Sequence, residues 1–149
     1  MIHFGSATAM MDEPFRQTYF DAMEDAVKHD CFVSFDPNYR VDLWLERVEE
    51  FIVFSKRGIA ISDLVKVSEE ELQLITGITV REIAVVSLHQ WGAKHVAVTL
   101  GKAGTYISDG VNAVQVPSYP VRSIDSTDAG DAFVGALLYQ ISMLNNARN

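Results

Sequence analysis

The sequence predicts a single α/β domain in which helices cover both faces of a mostly parallel β-sheet. Short runs of β-forming residues alternate along the chain with longer runs of helical periodicity, the pattern of parallel strands joined by crossover helices. The chain has 149 residues, of which 48% are hydrophobic and 21% are charged. This is enough for one ordinary globular core. Because the predicted sheet is mostly parallel, ligands are expected at the carboxyl ends of its strands.

Two strand–helix units form the first half of the predicted fold. The strand IHFGS precedes the helix EPFRQTYFDAMEDAVKHD, in which Pro14 suits the first turn. The strand CFVSFD precedes the helix DLWLERVEEFIVFSKRG, for which Gly58 is a plausible stop. The apolar face of the first helix is predicted from five residues at helical spacing: Phe15, Tyr19, Ala22, Met23 and Ala26.

The second half continues the alternation and ends in a long apolar helix. DLVKVS is a strand, and the two helices after it, SEEELQLITG and VREIAVVSLHQWG, end at Gly77 and Gly92. HVAVTLG is the next strand, and GTYISDG with NAVQVPSYP predicts a small antiparallel pair. The last helix is DAGDAFVGALLYQISML, with Phe133, Leu137, Ile141 and Leu144 on one face.

Charge and cysteine content exclude several classes of partner and compartment. The formal charge of −8 and the pI near 4.8 oppose electrostatic binding to nucleic acid or anionic membranes, which requires a basic field. Cys31, the single cysteine, lies in an apolar run and is expected to be a buried, reduced strand residue. The first ten residues lack a basic leader, and no segment approaches ~20 apolar residues. We expect a cytoplasmic protein.

The stretch DSTDAGDAF stands where the last predicted helix begins. Unpaired backbone N–H groups and the helix dipole favour an anion there, and Ala129 and Gly130 leave the backbone open to a phosphate oxygen. Asp131, in the first turn, is placed to take a proton from a hydroxyl that attacks that phosphate. The alternative is that these acidic residues only cap the helix, for ~1 kcal/mol each.

Several segments together resemble the ribokinase (PfkB) family of carbohydrate kinases. DSTDAGDAF is similar to the family signature D-[ST]-T-G-A-G-D-x-F, and FDPNYRVDLW is similar to a segment of its fructokinase branch. VKVSEEELQLITG and VTLGKAGTYI resemble two further family segments, and IHFGS with the EP beyond it resembles a fifth. The resemblance implies a three-layer (α/β/α), Rossmann-like ribokinase fold, incomplete at both ends, and an ATP-dependent kinase, most simply for fructose.

The resemblance implies a role for each matching residue. Asp131 would be the catalytic base that deprotonates, and so contacts, the sugar hydroxyl. The implied anion hole comprises Ala129, Gly130 and the neighbouring backbone N–H groups, and Asp128 precedes them in the same catalytic segment. The implied nucleotide-binding residues are Asn38, Ser68, Thr99, Gly101 and Gly104. The implied metal ligands are Glu71, through water, and Asp36, and Arg40 is a second implied substrate-binding residue. ATP and Mg²⁺ are the implied cofactors; K⁺ and a homodimer are left open.

Structural alternatives stand beside these roles. Ser68 and Glu71 have the spacing of a capping box, which would bond the start of a helix reciprocally. Asp36 and Asn38 could hold the turn before Tyr39 instead of reaching a phosphate. Gly104 could be a hairpin glycine. A single arginine in a loop such as Arg40 is often solvated or paired.

Two features depart from the family. Asp128 stands where the signature has a glycine, and a carboxylate about 4 Å from a phosphate charge costs ~1–4 kcal/mol per charge. The chain is also about half as long as family members. We therefore expect residues 1–149 to be the nucleotide-binding and catalytic part of such a kinase, without the sugar-binding half and lid. Three alternatives remain: a 2-keto-3-deoxygluconate or ribose kinase, a non-catalytic nucleotide-binding relative, and a structural α/β module.

Overall fold

The computed structural model describes residues 1–120 and 129–144. The strands are β1 (Ile2–Gly5), β2 (Val33–Asp36), β3 (Leu64–Ser68), β4 (His95–Thr99), β5 (Thr105–Ser108) and β6 (Ala113–Val116). The helices are α1 (Phe15–Lys28), α2 (Val41–Trp44), α3 (Val48–Ala60), α4 (Glu69–Thr76), α5 (Arg81–Trp91) and α6 (Ala129–Met143). Short 3-10 turns occupy Leu45–Arg47 and Gly101–Ala103.

The six strands form one mixed sheet in the order β1-β2-β3-β4-β5-β6. β1 to β4 are parallel to one another, and β5 and β6 are antiparallel additions. The predicted parallel sheet and antiparallel pair are confirmed. Because parallel strands end at the same edge of a sheet, the segments after β1, β2, β3 and β4 lie side by side there.

Helices pack on both faces of the sheet, so the three-layer prediction is also confirmed. Val65 and Val67 of β3 belong to the main core, with buried residues of α1, α3, α4 and α5. Leu64, one position before Val65, belongs to a smaller cluster with Ala97 on which α6 packs. Side chains alternate between the two faces of a strand, which places α6 opposite the other helices.

Among the described residues, no single helix is long and apolar enough to cross a membrane. α4 and α5 reach the required length and apolar character only when taken together, and that pair is bent by 64°.

The second predicted helix is broken into α2, a 3-10 turn and α3. Leu45 has φ +38° and C-caps α2, and its side chain is 69% exposed. The break accompanies burial of Trp44, whose ring meets Phe51 edge-on with centroids 5.3 Å apart. Arg47 then reaches back to the carbonyl of Met11 at 2.6 Å. A helical pattern in sequence does not reveal such tertiary anchors.

Gly58 is not a helix stop, which corrects the prediction from its position. It lies inside α3, where a Cβ atom would be 2.5 Å from Cζ of Phe35. Glycine is therefore required at position 58 because α3 packs closely on Phe35 of β2. Gly77 ends α4 as predicted, with φ +71° and its N–H donating to the carbonyl of Gln73.

Other expectations in the first two units are wrong in detail, and Ala22, predicted on the apolar face of the first helix, is exposed. Pro14 precedes α1 as its N-cap instead of lying in the first turn. Phe15, the first residue of α1, is 57% exposed, whereas Tyr19, Phe20, Met23 and Ala26 are buried. Cys31 is half-buried and precedes β2.

Candidate active site

The carboxyl edge of the sheet collects most of the predicted site residues. Asp36, Ser68 and Thr99 are the last residues of β2, β3 and β4, and Ser68 is the register partner of Thr99. Asn38 follows β2 by two residues, and Glu71 lies in the first turn of α4. The edge is therefore built by strand ends, as expected for a doubly wound sheet.

A cavity of about 450 Å³ unites the β4 segment with the start of α6. Thr99, Gly101 and Gly104, the nucleotide-binding residues predicted after β4, all line it. Ala129 and Gly130, predicted for the anion hole, line it too. Residues separated by about thirty positions in sequence thus enclose one space, large enough for a small ligand.

The two glycines of this cavity differ in what they contribute. Gly101 has φ +55°, and a Cβ atom there would meet no heavy atom within 4 Å, so its backbone is open toward the cavity. Gly104 has φ +99°, and a Cβ atom would lie 1.9 Å from the carbonyl oxygen of Val116. The geometry of Gly104 therefore supports the hairpin interpretation, although the residue also borders the cavity.

Asp36 forms a buried ion pair with Lys66 of β3. Oδ2 of Asp36 accepts a hydrogen bond from Nζ of Lys66 at 2.9 Å, and the residues are 3% and 8% exposed. Oδ1 accepts the N–H of Asn38 at 3.0 Å, and Asn38 has φ +49°. Burial raises the pKa of the Asp36 carboxyl, whereas the nearby Lys66 ammonium lowers it. The bond between Asp36 and Asn38 has the form of an Asx-turn, so the turn alternative describes the contacts seen.

Glu71 makes the predicted capping box and one further bond. Its Oε2 accepts the N–H of Ser68 at 2.7 Å, while the hydroxyl of Ser68 accepts the N–H of Glu71 at 3.1 Å. Its Oε1 accepts the N–H of Tyr39 at 2.7 Å. Burial raises the pKa of the Glu71 carboxyl, with the charge of Asp36 acting in the same direction.

Within the described ranges, no group of three His, Cys, Asp or Glu residues is arranged to hold a metal ion.

The first turn of α6 presents Asp131 to solvent. The Asp131 carboxylate is exposed, and its negative charge acts on both His3 and Asp36. Gly130 packs over Lys66, since a Cβ atom on Gly130 would lie 3.4 Å from Nζ of Lys66. Asp128, and with it the first half of the DSTDAGDAF signature, lies outside the described residues.

The side chain of Arg40 makes no hydrogen bond or ion pair with the described residues of the site. Its side chain is exposed, and its backbone is extended just before α2. Its carbonyl accepts the N–H groups of Leu43 and Trp44, so Arg40 starts a turn of the backbone. The substrate-binding role implied for Arg40 stays a prediction.

Sequence reasoning missed two residues of this group. Lys66 lies within the apolar strand DLVKVS, and a charged residue among buried strand positions is a signal that could have identified it. His3 on β1 lies beside Ser34, with Nδ1 and Oγ 3.2 Å apart. Burial lowers the pKa of His3, so the imidazole favours its neutral form. A single histidine in a short strand gives no such signal.

Comparison with known proteins places these features in a family. The model of the family described as pfkB family carbohydrate kinase matches residues 1–148. Fructokinase-1 of Oryza sativa subsp. japonica is 42% identical over 147 residues, which cover 95% of this chain and 43% of that protein. The fructokinase of Klebsiella pneumoniae is 37% identical over 131 residues. The chain thus spans less than half the length of these curated relatives.

Solved structures give the same picture. A double mutant of fructokinase from Vibrio cholerae O395, bound to fructose, ADP and a potassium ion, has a TM-score of 0.91 at 36% identity. The match covers 99% of this chain and 47% of that chain. Aminoimidazole riboside kinase from Salmonella enterica, complexed with aminoimidazole riboside and an ATP analog, has a TM-score of 0.86 at 29% identity. That match covers 96% of this chain and 48% of that chain.

Proposed function

The chain belongs to the pfkB family of carbohydrate kinases, and we propose that it supplies the nucleotide-binding and catalytic part of an ATP-dependent fructokinase. The observation that carries the proposal is the cavity of about 450 Å³ that Thr99 and Gly101 share with the start of α6. A nucleotide in this cavity would direct its phosphates toward a helix N-terminus, which favours anions. Asp131 stands in the first turn of that helix.

The proposed reaction moves the terminal phosphoryl group of ATP to a sugar hydroxyl. Asp131 accepts the hydroxyl proton as the sugar oxygen bonds to phosphorus and the bond from phosphorus to the ADP oxygen breaks. The N–H groups at the start of α6 stabilise the charge on the transferred group. Because the carboxylate of Asp131 is exposed, a sugar hydroxyl has room to lie beside it.

We propose Glu71 as the residue that holds a magnesium ion through water. Both carboxylate oxygens already accept a backbone N–H, from Tyr39 and Ser68, yet each oxygen retains acceptor capacity for a metal-bound water. The ion would supply charge neutralisation of the phosphates.

Asp36 is the other implied metal ligand. Its carboxylate oxygens already accept hydrogen bonds from Lys66 and from the N–H of Asn38, so a metal ion bound by Asp36 would have to share an oxygen with one of these donors. Potassium and calcium ions occur in two Vibrio cholerae fructokinase structures. For this chain K⁺ and a homodimer are left open, and a cytoplasmic location stays a prediction.

Fructose is the proposed sugar because several similar proteins are named as fructokinases. Fructokinases from rice and maize are 42% and 41% identical, whereas the aminoimidazole riboside kinase is 29% identical. Ribose and 2-keto-3-deoxygluconate remain the alternatives to be tested beside it. Arg40 is the second proposed sugar contact, beside Asp131.

One sequence feature favours a second candidate function, nucleotide binding without turnover. Asp128 replaces the first glycine of the family signature, and a carboxylate near the anion hole would repel a transferring phosphoryl group. This candidate predicts ATP binding with no phosphorylated sugar. Replacing Asp128 with glycine would then raise turnover without requiring tighter ATP binding.

The test is to measure ATP binding by calorimetry and sugar phosphorylation by coupled assay, using the polypeptide that the natural gene produces. Fructose, ribose and 2-keto-3-deoxygluconate are compared as acceptors. Asp131→Asn should lower turnover by about 10²–10⁴-fold with ATP affinity retained. The matched control is Glu49→Gln, an exposed carboxylate on α3, which should change neither quantity. Absence of ATP binding would refute the proposal; binding without turnover would favour the second candidate.

A further inference from the structure

His89, near the end of α5, joins that helix to the hairpin of β5 and β6. Its Nε2 lies 2.9 Å from the hydroxyl oxygen of Ser108, the last residue of β5, and its Nδ1 lies 2.7 Å from the carbonyl oxygen of Ala93. The turn of the hairpin lies against the same ring, since a Cβ atom on Gly110 would be 3.5 Å from Nδ1. The imidazole therefore lies where a helix, a strand and a turn meet.

The chemistry of these groups fixes the direction of each hydrogen bond. A carbonyl oxygen can only accept, so Nδ1 of His89 donates to Ala93, and Nε2 of the neutral ring accepts the hydroxyl proton of Ser108. The Ser108 oxygen in turn accepts the N–H of Gly110 at 3.2 Å. Because Ser108 is 6% exposed, water does not readily replace these partners. The enclosed hydroxyl is thus a contact between structural elements and is not offered to a substrate.

The hairpin that this contact holds lies at the margin of the sheet. β6 comes last in the strand order, and its four residues are all exposed. On β5, Tyr106 and Ser108 share one face, where Tyr106 packs against the main core and its ring centroid lies 5.8 Å from Cζ of Arg81 of α5. The side chains of α5 therefore hold β5 along the face that Tyr106 and Ser108 share.

The other end of the hairpin forms one wall of the cavity proposed for the nucleotide. Thr105 begins β5 and Val116 ends β6, and both line the cavity. β5 has four residues and spans roughly 10 Å between its ends. A displacement of the hairpin at Ser108 is therefore transmitted to the cavity wall at Thr105.

We propose that His89 is a positioning residue for nucleotide binding, which holds the β5–β6 hairpin against α5 through Ser108 and thereby fixes the cavity wall at Thr105 and Val116. This inference rests on the proposed function, because it requires the nucleotide to bind in that cavity. It assigns the effect on nucleotide affinity to the bond between His89 and Ser108. The bond between His89 and Ala93, at the end of α5, has no such effect.

The experiment uses three substitutions that separate the two hydrogen bonds of His89. His89→Gln brings an amide oxygen to the distance of Nε2 and can accept the Ser108 hydroxyl, whereas His89→Asn brings an amide nitrogen to the distance of Nδ1 and can donate to Ala93. His89→Leu can do neither. ATP affinity is measured by calorimetry on the polypeptide that the natural gene produces. His89→Leu and His89→Asn should weaken ATP binding by about threefold to tenfold, and His89→Gln should stay within about twofold of the wild type.

A double-mutant cycle tests the partner of His89. Ser108→Ala should weaken ATP binding about as much as His89→Leu, and the two changes together should weaken it no further, because both remove the same bond. Gln90→Leu, at the exposed neighbouring position of α5, is the matched control and should leave ATP affinity unchanged. Circular dichroism checks that each variant is folded, and the comparison of His89→Gln with His89→Asn decides the test if His89→Leu does not fold.

The outcomes separate this inference from the function on which it rests. Normal ATP affinity in folded His89→Leu overturns the positioning role. Affinity restored by His89→Asn and not by His89→Gln also overturns it, because the residue would then act only at the end of α5. A wild-type chain that binds no ATP overturns the proposed function as well.

Discussion

Oε1 of Glu71 accepts the backbone N–H of Tyr39 at 2.7 Å, so one carboxylate joins the first turn of α4 to the loop that follows β2. The other oxygen accepts the N–H of Ser68. Glu71 is 8% exposed, which means that water cannot readily replace either bond. The side chain implied for the metal therefore also holds together two segments of the carboxyl edge, and both roles can be tested on one residue.

Replacing Glu71 with alanine should lower the free energy of unfolding by roughly 2–4 kcal/mol. The change leaves two backbone N–H groups, of Ser68 and Tyr39, without an acceptor, and hydrogen bonds to charged groups contribute about 1.5–3 kcal/mol each. The measurement is urea unfolding followed by circular dichroism. Glu70→Ala is the matched control, because Glu70 lies in the same turn but is exposed; equal losses in the two variants would contradict the structural role.

Much of the fold could be predicted because it depends on local periodicity. The strands and the α4 and α6 helices coincide closely with apolar patterns, and the capping box of Ser68 and Glu71 is written in four consecutive residues. The break at Leu45 could not be predicted, because it depends on burial of Trp44 against α3 and on the long reach of Arg47 to Met11. Contacts between distant segments have no local signature.

The same distinction applies to the candidate site. Thr99, Gly101 and Gly104 were found from one continuous segment, and the structure brings them to one cavity with the start of α6. Lys66 was missed because its partner, Asp36, is thirty residues away and the pairing exists only once β2 and β3 are adjacent. A charged residue among buried strand positions is the sequence signal that indicates such a pairing.

Gly58→Ala should destabilise the chain by about 1–3 kcal/mol, because the new Cβ atom would overlap the ring of Phe35, which is fully buried and cannot move aside. Gly135→Ala is the matched control in a second helix. A Cβ atom there meets nothing within 4 Å, so the substitution should stabilise α6 by up to ~1 kcal/mol. Urea midpoints of the two variants should shift in opposite directions, and shifts of the same sign would contradict the close packing of α3 on β2.

Gly104→Ala should weaken nucleotide binding far more than Gly101→Ala. At Gly104 the Cβ atom would lie 1.9 Å from the carbonyl oxygen of Val116, so the start of β5 and the end of β6, which both line the cavity, must move apart. At Gly101 the space is open, and the cost is only that of a positive φ, about 1–2 kcal/mol. ATP affinity measured by calorimetry checks the difference. Similar losses in both variants would show that the hairpin geometry does not shape the cavity.

Acid should destabilise the turn between β5 and β6 through Asp109. Its carboxylate accepts the N–H groups of Asn112 at 2.6 Å and Val111 at 2.9 Å, and these bonds lower the pKa of Asp109 from 3.8 to about 2. A carboxyl whose pKa is lower in the folded state stabilises that state above its unfolded pKa. The contribution is lost as the pH falls from 3.8 through about 2. In urea unfolding between about pH 5 and about pH 2, the wild type should therefore lose more stability than Asp109→Asn, which keeps an acceptor but cannot titrate; parallel pH profiles would contradict this assignment.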